Sequence, residues 1–253
     1  TAMNERCIKE LLYKVADDQL ILGHRNSEWT GFGPLLEEDI AFSSMAQDKV
    51  GQSLALYQLL HQLGEQPPDT TAFLRKANQF HNCILTELPN GEYDFSLIRH
   101  FLFDTAELIR FEMLSESTYR TLAELSRKIQ GELRYHTLHA NTWIKQLGTA
   151  TDESISRLQQ SLDFALPYAM GIFEESPYEG ELTAAGVFGG EKILRSRWME
   201  KVEGIIQQTN LQLPAWSEVT PVMGGRMGVH SEHLRPLLDE MSEVIRIEPT
   251  AEW

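Results

Sequence analysis

A chain of 253 residues with 42% apolar side chains can build a substantial core, and we expect a single domain spanning 1-253. Its 22 Lys and Arg against 37 Asp and Glu leave a formal charge of −15, which repels phosphate backbones and anionic lipid surfaces and argues against nucleic acid or a membrane as partner. Cys7 and Cys83 are far apart with no CxxC spacing, and the start of the chain has no basic-then-apolar leader. No apolar run approaches the roughly 20 residues that span a bilayer, so the expectation is a reduced, soluble, cytoplasmic protein.

Apolar residues recur three or four apart from Ile8 through Leu11, Leu12, Val15, Leu20 and Leu22, the period of an amphipathic helix. Gly31-Phe32-Gly33-Pro34 interrupts that pattern and predicts a turn. A second long helix runs from about Leu35 to Leu63, with Glu37, Glu38 and Asp39 suited to its positive N-terminal end. Thr70 to Leu85 fits a shorter crossover helix. A third helix is expected over about 94–115 and a fourth over 118–147, closed by Gly148 as a left-handed terminator.

Thr151-Asp152-Glu153-Ser154 has the character of a helix start and predicts a fifth helix to about Phe173, with a kink expected at Pro167. Residues 176–190 read as a loop, 191–208 as helix, 211–229 as irregular chain and 230–247 as a last helix. With no strand alternation and no repeat, the class is all-α. The core bundle is placed at about 5-148 and the additional helices at about 151-247.

Two antiparallel hairpins joined by a crossover form the ferritin-like four-helix arrangement, whose di-iron members carry carboxylates and Glu-x-x-His pairs on facing helices. The stretch Asp48-Lys49-Val50-Gly51-Gln52 has the outline of such a pair but reads Lys49 and Gln52 at the ligand positions. With the first turn near residue 32 or 33, Lys49 faces residues 16 to 18, where Asp17 and Asp18 lie. On the other hairpin Asp104 falls opposite residues 130 to 133, near Glu132 and His136, while Leu133 stands three residues before that histidine. Hard, highly charged iron ions need more carboxylate and imidazole than this. Asp17, Asp18, Lys49, Gln52, Asp104, Leu133 and His136 are therefore read as vestigial metal-site positions. Lys49 is expected to replace metal by pairing with Asp18 or Asp17 and with Asp104, beside His136; the alternative is a surface lysine on a solvated face.

Gly23-His24-Arg25, Ser27-Glu28-Trp29-Thr30-Gly31, the Lys49 stretch, Leu88-Pro89-Asn90-Gly91, Glu132-Leu133-Arg134-Tyr135-His136 and Gly228-Val229-His230-Ser231-Glu232-His233-Leu234 occur in an order that resembles the structural C subunits of bacterial ring 1,2-phenylacetyl-CoA epoxidases. The resemblance runs over nearly the whole chain. It implies a non-catalytic ferritin-like subunit in a multicomponent monooxygenase of phenylacetate catabolism. The di-iron centre would lie in a catalytic A subunit, with further subunits and an NADPH-dependent reductase as partners. It implies no cofactor in this chain. Self-association and a self-sufficient ferritin-like oxidoreductase with an unorthodox metal site are the alternatives.

His230 and His233, three apart, could share a metal but more simply serve a structural role near a helix start. Of His136 and His139, His136 is expected to face the core. Trp29, Trp143 and Trp198 fit core or interface positions. Gly224-Gly225-Arg226-Met227-Gly228 lacks the preceding strand and the Gly-Lys-Ser/Thr ending of a phosphate loop, and reads as a flexible approach to the last helix.

Overall fold

A computed structural model describes residues 5–250. The expected absence of a leader and the outer limits of the 1-253 domain rest partly on residues outside that range.

The all-α class is borne out. The helices are α1 (Glu5–Ser27), α2 (Leu36–Gln62), α3 (Pro68–Phe73), α4 (Ile84–Glu87), α5 (Tyr93–Leu114), α6 (Arg120–Leu147), α7 (Asp152–Met170), α8 (Glu179–Ala184), α9 (Glu191–Ile206) and α10 (Leu234–Ile247). No helix among the described residues is long and apolar enough to cross a membrane. The long elements pair into two helical hairpins, α1 with α2 and α5 with α6.

Among the described residues the chain divides into two compact units, one of residues 8–89 and 224–250, the other of residues 5–7 and 90–223. The unit of the first hairpin also holds α10, and that of the second holds α7 to α9.

In the unit carrying the first hairpin, the turn is tightened by the backbone N–H of Gly31, which donates to both carboxylate oxygens of Asp39 at 2.9 and 3.0 Å. Gly31 sits at φ +82°, open to glycine and costly for other residues. Antiparallel α1 and α2 then meet closely at Gly23, where an added Cβ would lie 3.1 Å from Cβ of Lys49. The crossover differs from the single short helix expected. It is α3, a 3₁₀ turn at Ala77–Gln79, extended chain and α4. The reason is chemical: the backbone N–H groups of His81 and Cys83 donate to the carboxylates of Asp17 and Asp18, so they are unavailable to a helix.

In the other unit α5 packs against α6, α7 and α9. It is buried almost all round, as its apolar residues on every face require. Gly148 ends α6 at φ −71°, so it is not the left-handed terminator expected. Its need for glycine is a close approach: a Cβ would meet the Thr209 side chain at 2.9 Å. Thr151 and Ser154 cap α7 reciprocally, each side chain accepting from the other's backbone N–H. A six-residue helix, α8, interrupts the predicted 176–190 loop.

Trp198 on α9 is fully buried and donates its indole N–H to the Leu102 carbonyl of α5 at 2.8 Å, with Phe173 and Trp216 against its ring. Trp198→Phe removes that donor and leaves a buried carbonyl to find another. Unfolding in urea is expected to show a loss of about 1–3 kcal/mol.

Candidate functional site

Asp17 and Asp18 are adjacent on α1 and both are fully buried. Ionised carboxylates at such positions need charge-assisted partners. Asp17 obtains them from the crossover. Arg75 grips it through Nη2 to Oδ1 at 2.5 Å and Nη1 to Oδ2 at 3.1 Å, Tyr57 of α2 donates at 2.6 Å, and the His81 N–H donates at 2.8 Å. The Arg75 guanidinium lies 4.0 Å from the Phe80 ring centre and 5.1 Å from that of Tyr13. Burial opposes its charge, but the Asp17 carboxylate outweighs it and holds Arg75 more firmly protonated than usual. Burial, and then the neighbouring Asp17 charge, drive the Tyr57 phenol far above its ordinary pKa, so it remains a donor.

Asp18 is served from the far end of the sequence. Arg226 donates through Nη1 to Oδ1 at 2.7 Å, and the Cys83 N–H to the same oxygen at 2.8 Å. The glycine-rich stretch that resembled no phosphate loop delivers this arginine. Gly225 passes so close to the crossover that a Cβ would be 2.3 Å from the Asn82 carbonyl oxygen, and Gly228 turns at φ +78°. The stretch is a built connection, not merely a flexible approach.

A third buried acid, Glu87 of α4, completes the network. His230 donates from Nδ1 to Glu87 at 2.8 Å and from Nε2 to the Phe80 carbonyl at 2.7 Å. Both partners only accept, so the ring is an imidazolium when both bonds form. Burial works against that charge, but the Glu87 carboxylate and the Phe80 carbonyl outweigh it, and the His230 pKa is raised. The Ser231 N–H and Asn82 Nδ2 also donate to Glu87, at 2.6 and 3.0 Å. These bonds keep residues 230 and 231 out of the last helix, which begins at Leu234 and not at His230 as expected. His230 and His233 do not form a metal pair: His230 bonds Glu87, whereas His233 is half-exposed beside Glu232.

Lys49 on α2 is fully buried, which excludes the surface-lysine alternative, and its ammonium donates to Gln19 Oε1 at 3.3 Å. Gln52 is also buried. Contacts of Gly23 with Lys49 and of Asp17 with Tyr57 centre this hairpin close to residue 36, several residues beyond the expected 32 or 33. The shift moves Lys49 from opposite Asp17 toward Gly23.

On the second hairpin, Asp104 accepts from His100 Nδ1 at 2.5 Å, and His100 Nε2 is 3.1 Å from Nδ1 of His139. His136 is fully buried, with Nδ1 4.0 Å from Asp104, while His139 is half-exposed. Leu133 is buried as an ordinary core side chain. Sequence reading missed His100, although its i, i+4 spacing to Asp104 on α5 was visible.

Taken helix by helix, these residues do not fit a di-iron centre. On α1 both carboxylates are engaged by guanidinium groups that cannot deprotonate, and on α2 the ligand positions hold an ammonium and an amide. On α6 a leucine stands three residues before His136.

Long helices paired into two hairpins, with buried acids on α1 and α5, make this an all-α, ferritin-like protein. More particularly, the chain belongs to the family described as "Phenylacetic acid catabolic protein", whose model matches residues 1–253. It is similar to a protein of Escherichia coli (strain K12) named as the C subunit of 1,2-phenylacetyl-CoA epoxidase. The two are 32% identical over 241 residues, covering 95% of this chain and 96% of the relative. The resemblance carried by the ordered sequence motifs is thereby borne out.

Proposed function

We propose that this chain is the structural, non-catalytic subunit of a cytoplasmic, multicomponent di-iron monooxygenase that epoxidises the ring of phenylacetyl-CoA, supporting a catalytic A subunit that holds the iron. The observation that carries this reading is the near full-length similarity to a protein named as the C subunit of that epoxidase. The chemistry of α1 and α2 supports it: Asp17 and Asp18 are committed to Arg75 and Arg226, and the buried pair at ligand-like spacing on α2 is Lys49 and Gln52, an ammonium and an amide. Oxygen activation then belongs to the catalytic partner, with electrons delivered through a separate reductase.

A subunit needs a surface for its partner, and the start of α2 offers one. Phe32, Leu35, Leu36 and Ile40 are 78%, 54%, 70% and 60% exposed, a concentration of large apolar groups that water does not favour. Co-expression with a catalytic A subunit is expected to give a stable complex through an affinity tag on either chain. Leu36→Asp with Ile40→Asp, both at exposed positions, is expected to weaken it by at least about tenfold without altering the melting of the isolated chain. Failure of the unmodified chains to associate would remove the reading.

A further inference from the structure

Apart from the buried network, the end of α1 and one face of α10 bring His24, Glu28 and Glu240 together. One ligating atom from each lies within 4.8 Å of the others. His24 lies in the last turn of α1 and Glu28 in the turn just past its end, where its backbone N–H bonds the Arg25 carbonyl. Two further observations bear on what this cluster does.

First, Nε2 of His24 is shut off from solvent and has no hydrogen-bond partner, an uncommon state for a buried imidazole nitrogen. Second, Glu28 is oriented from behind. Arg25 donates to its Oε1 at 3.0 Å while the same guanidinium is anchored on the Glu87 carbonyl at 2.9 and 3.2 Å. Such support behind a ligating carboxylate is what fixes the geometry of metal sites.

We propose that His24, Glu28 and Glu240 form a mononuclear site for a divalent transition-metal ion, with zinc the best match. One imidazole and two carboxylates suit a borderline cation, and a dication relieves the repulsion between the two glutamates. Bonds of about 2.0–2.2 Å require the three ligating atoms to draw inward by about an ångström. Glu240 is exposed and free to swing that far. Three protein ligands leave a fourth position for water or for a side chain of another molecule. The ion would pin α10 to α1, next to the Arg25–Glu87 contact. The site does not depend on the epoxidase reading, because it is assayed on this chain alone.

The test is calorimetric titration of the chelator-stripped full chain with zinc chloride, alongside Glu240→Gln and His24→Asn, with circular dichroism confirming that each variant is folded. One equivalent of zinc binding with a micromolar Kd, weakened by about tenfold or more in both variants, is expected. Glu240→Gln alters only an exposed side chain, so its result stands even if His24→Asn unfolds. Absence of binding, or equal binding by Glu240→Gln, would overturn the proposal; the latter would put the zinc elsewhere.

Discussion

Arg75→Ala is expected to lower the unfolding free energy by about 3–5 kcal/mol, the usual cost of leaving one partner of a buried ion pair uncompensated. Asp17 has 0% side-chain exposure and Arg75 only 11%, so water cannot replace the guanidinium without opening the structure. Tyr57 and the His81 N–H would still donate to Asp17, which places the loss toward the lower end of that range. The cause can be separated from simple loss of bulk. Adding Asp17→Asn to Arg75→Met removes both charges while keeping most of the volume, and that double variant should be more stable than Arg75→Met alone. Urea denaturation at neutral pH measures both. If the double variant is no better than the single one, the ion pair is not what holds the crossover to α1.

The second large effect concerns His230, which bridges Glu87 and the Phe80 carbonyl. His230→Ala strands a buried carboxylate and a buried carbonyl, and a loss of about 3–5 kcal/mol is expected near pH 6. The pH dependence has a definite sign. The folded pKa of His230 is raised above its ordinary value of 6.5, so its stabilising contribution is complete below about pH 6.5. It is lost as pH rises through the folded pKa. The unmodified protein should therefore lose stability over that interval, and His230→Gln should remove the corresponding part of the slope. Parallel pH profiles for the two would refute the charged state assigned to this ring.

Much of the fold was legible because it depends on local pattern. The 3.6-residue periodicity located the long helices within a few residues, and Thr151 and Ser154 announced the cap they form. The crossover was misread because its backbone conformation is set by acids some 60 residues earlier in sequence: the His81 and Cys83 N–H groups turn to Asp17 and Asp18. No local propensity carries that information. The last helix starts late for a related reason, since His230 and Ser231 are drawn to Glu87.

The candidate site was legible in part. Lys49 and Gln52 stood out by their ligand-like spacing, and both are buried. What sequence reading missed was the identity of the cations serving the acids. Two adjacent aspartates in a buried helix imply two positive partners, but Arg75 lay in a segment read as a connector and Arg226 in one read as a flexible approach. Only the three-dimensional return of the chain joins them to α1. Glu87 was similarly hidden in the crossover.

The most direct test of the structural-subunit assignment is iron content. The isolated chain, reconstituted aerobically with ferrous iron and desalted, is expected to retain well below one equivalent, whereas its complex with a catalytic A subunit should carry iron that follows the A chain on separation. Near-stoichiometric iron in the isolated chain, abolished by His136→Ala but unaffected by Glu240→Gln, would contradict the assignment and place a working metal centre in this protein.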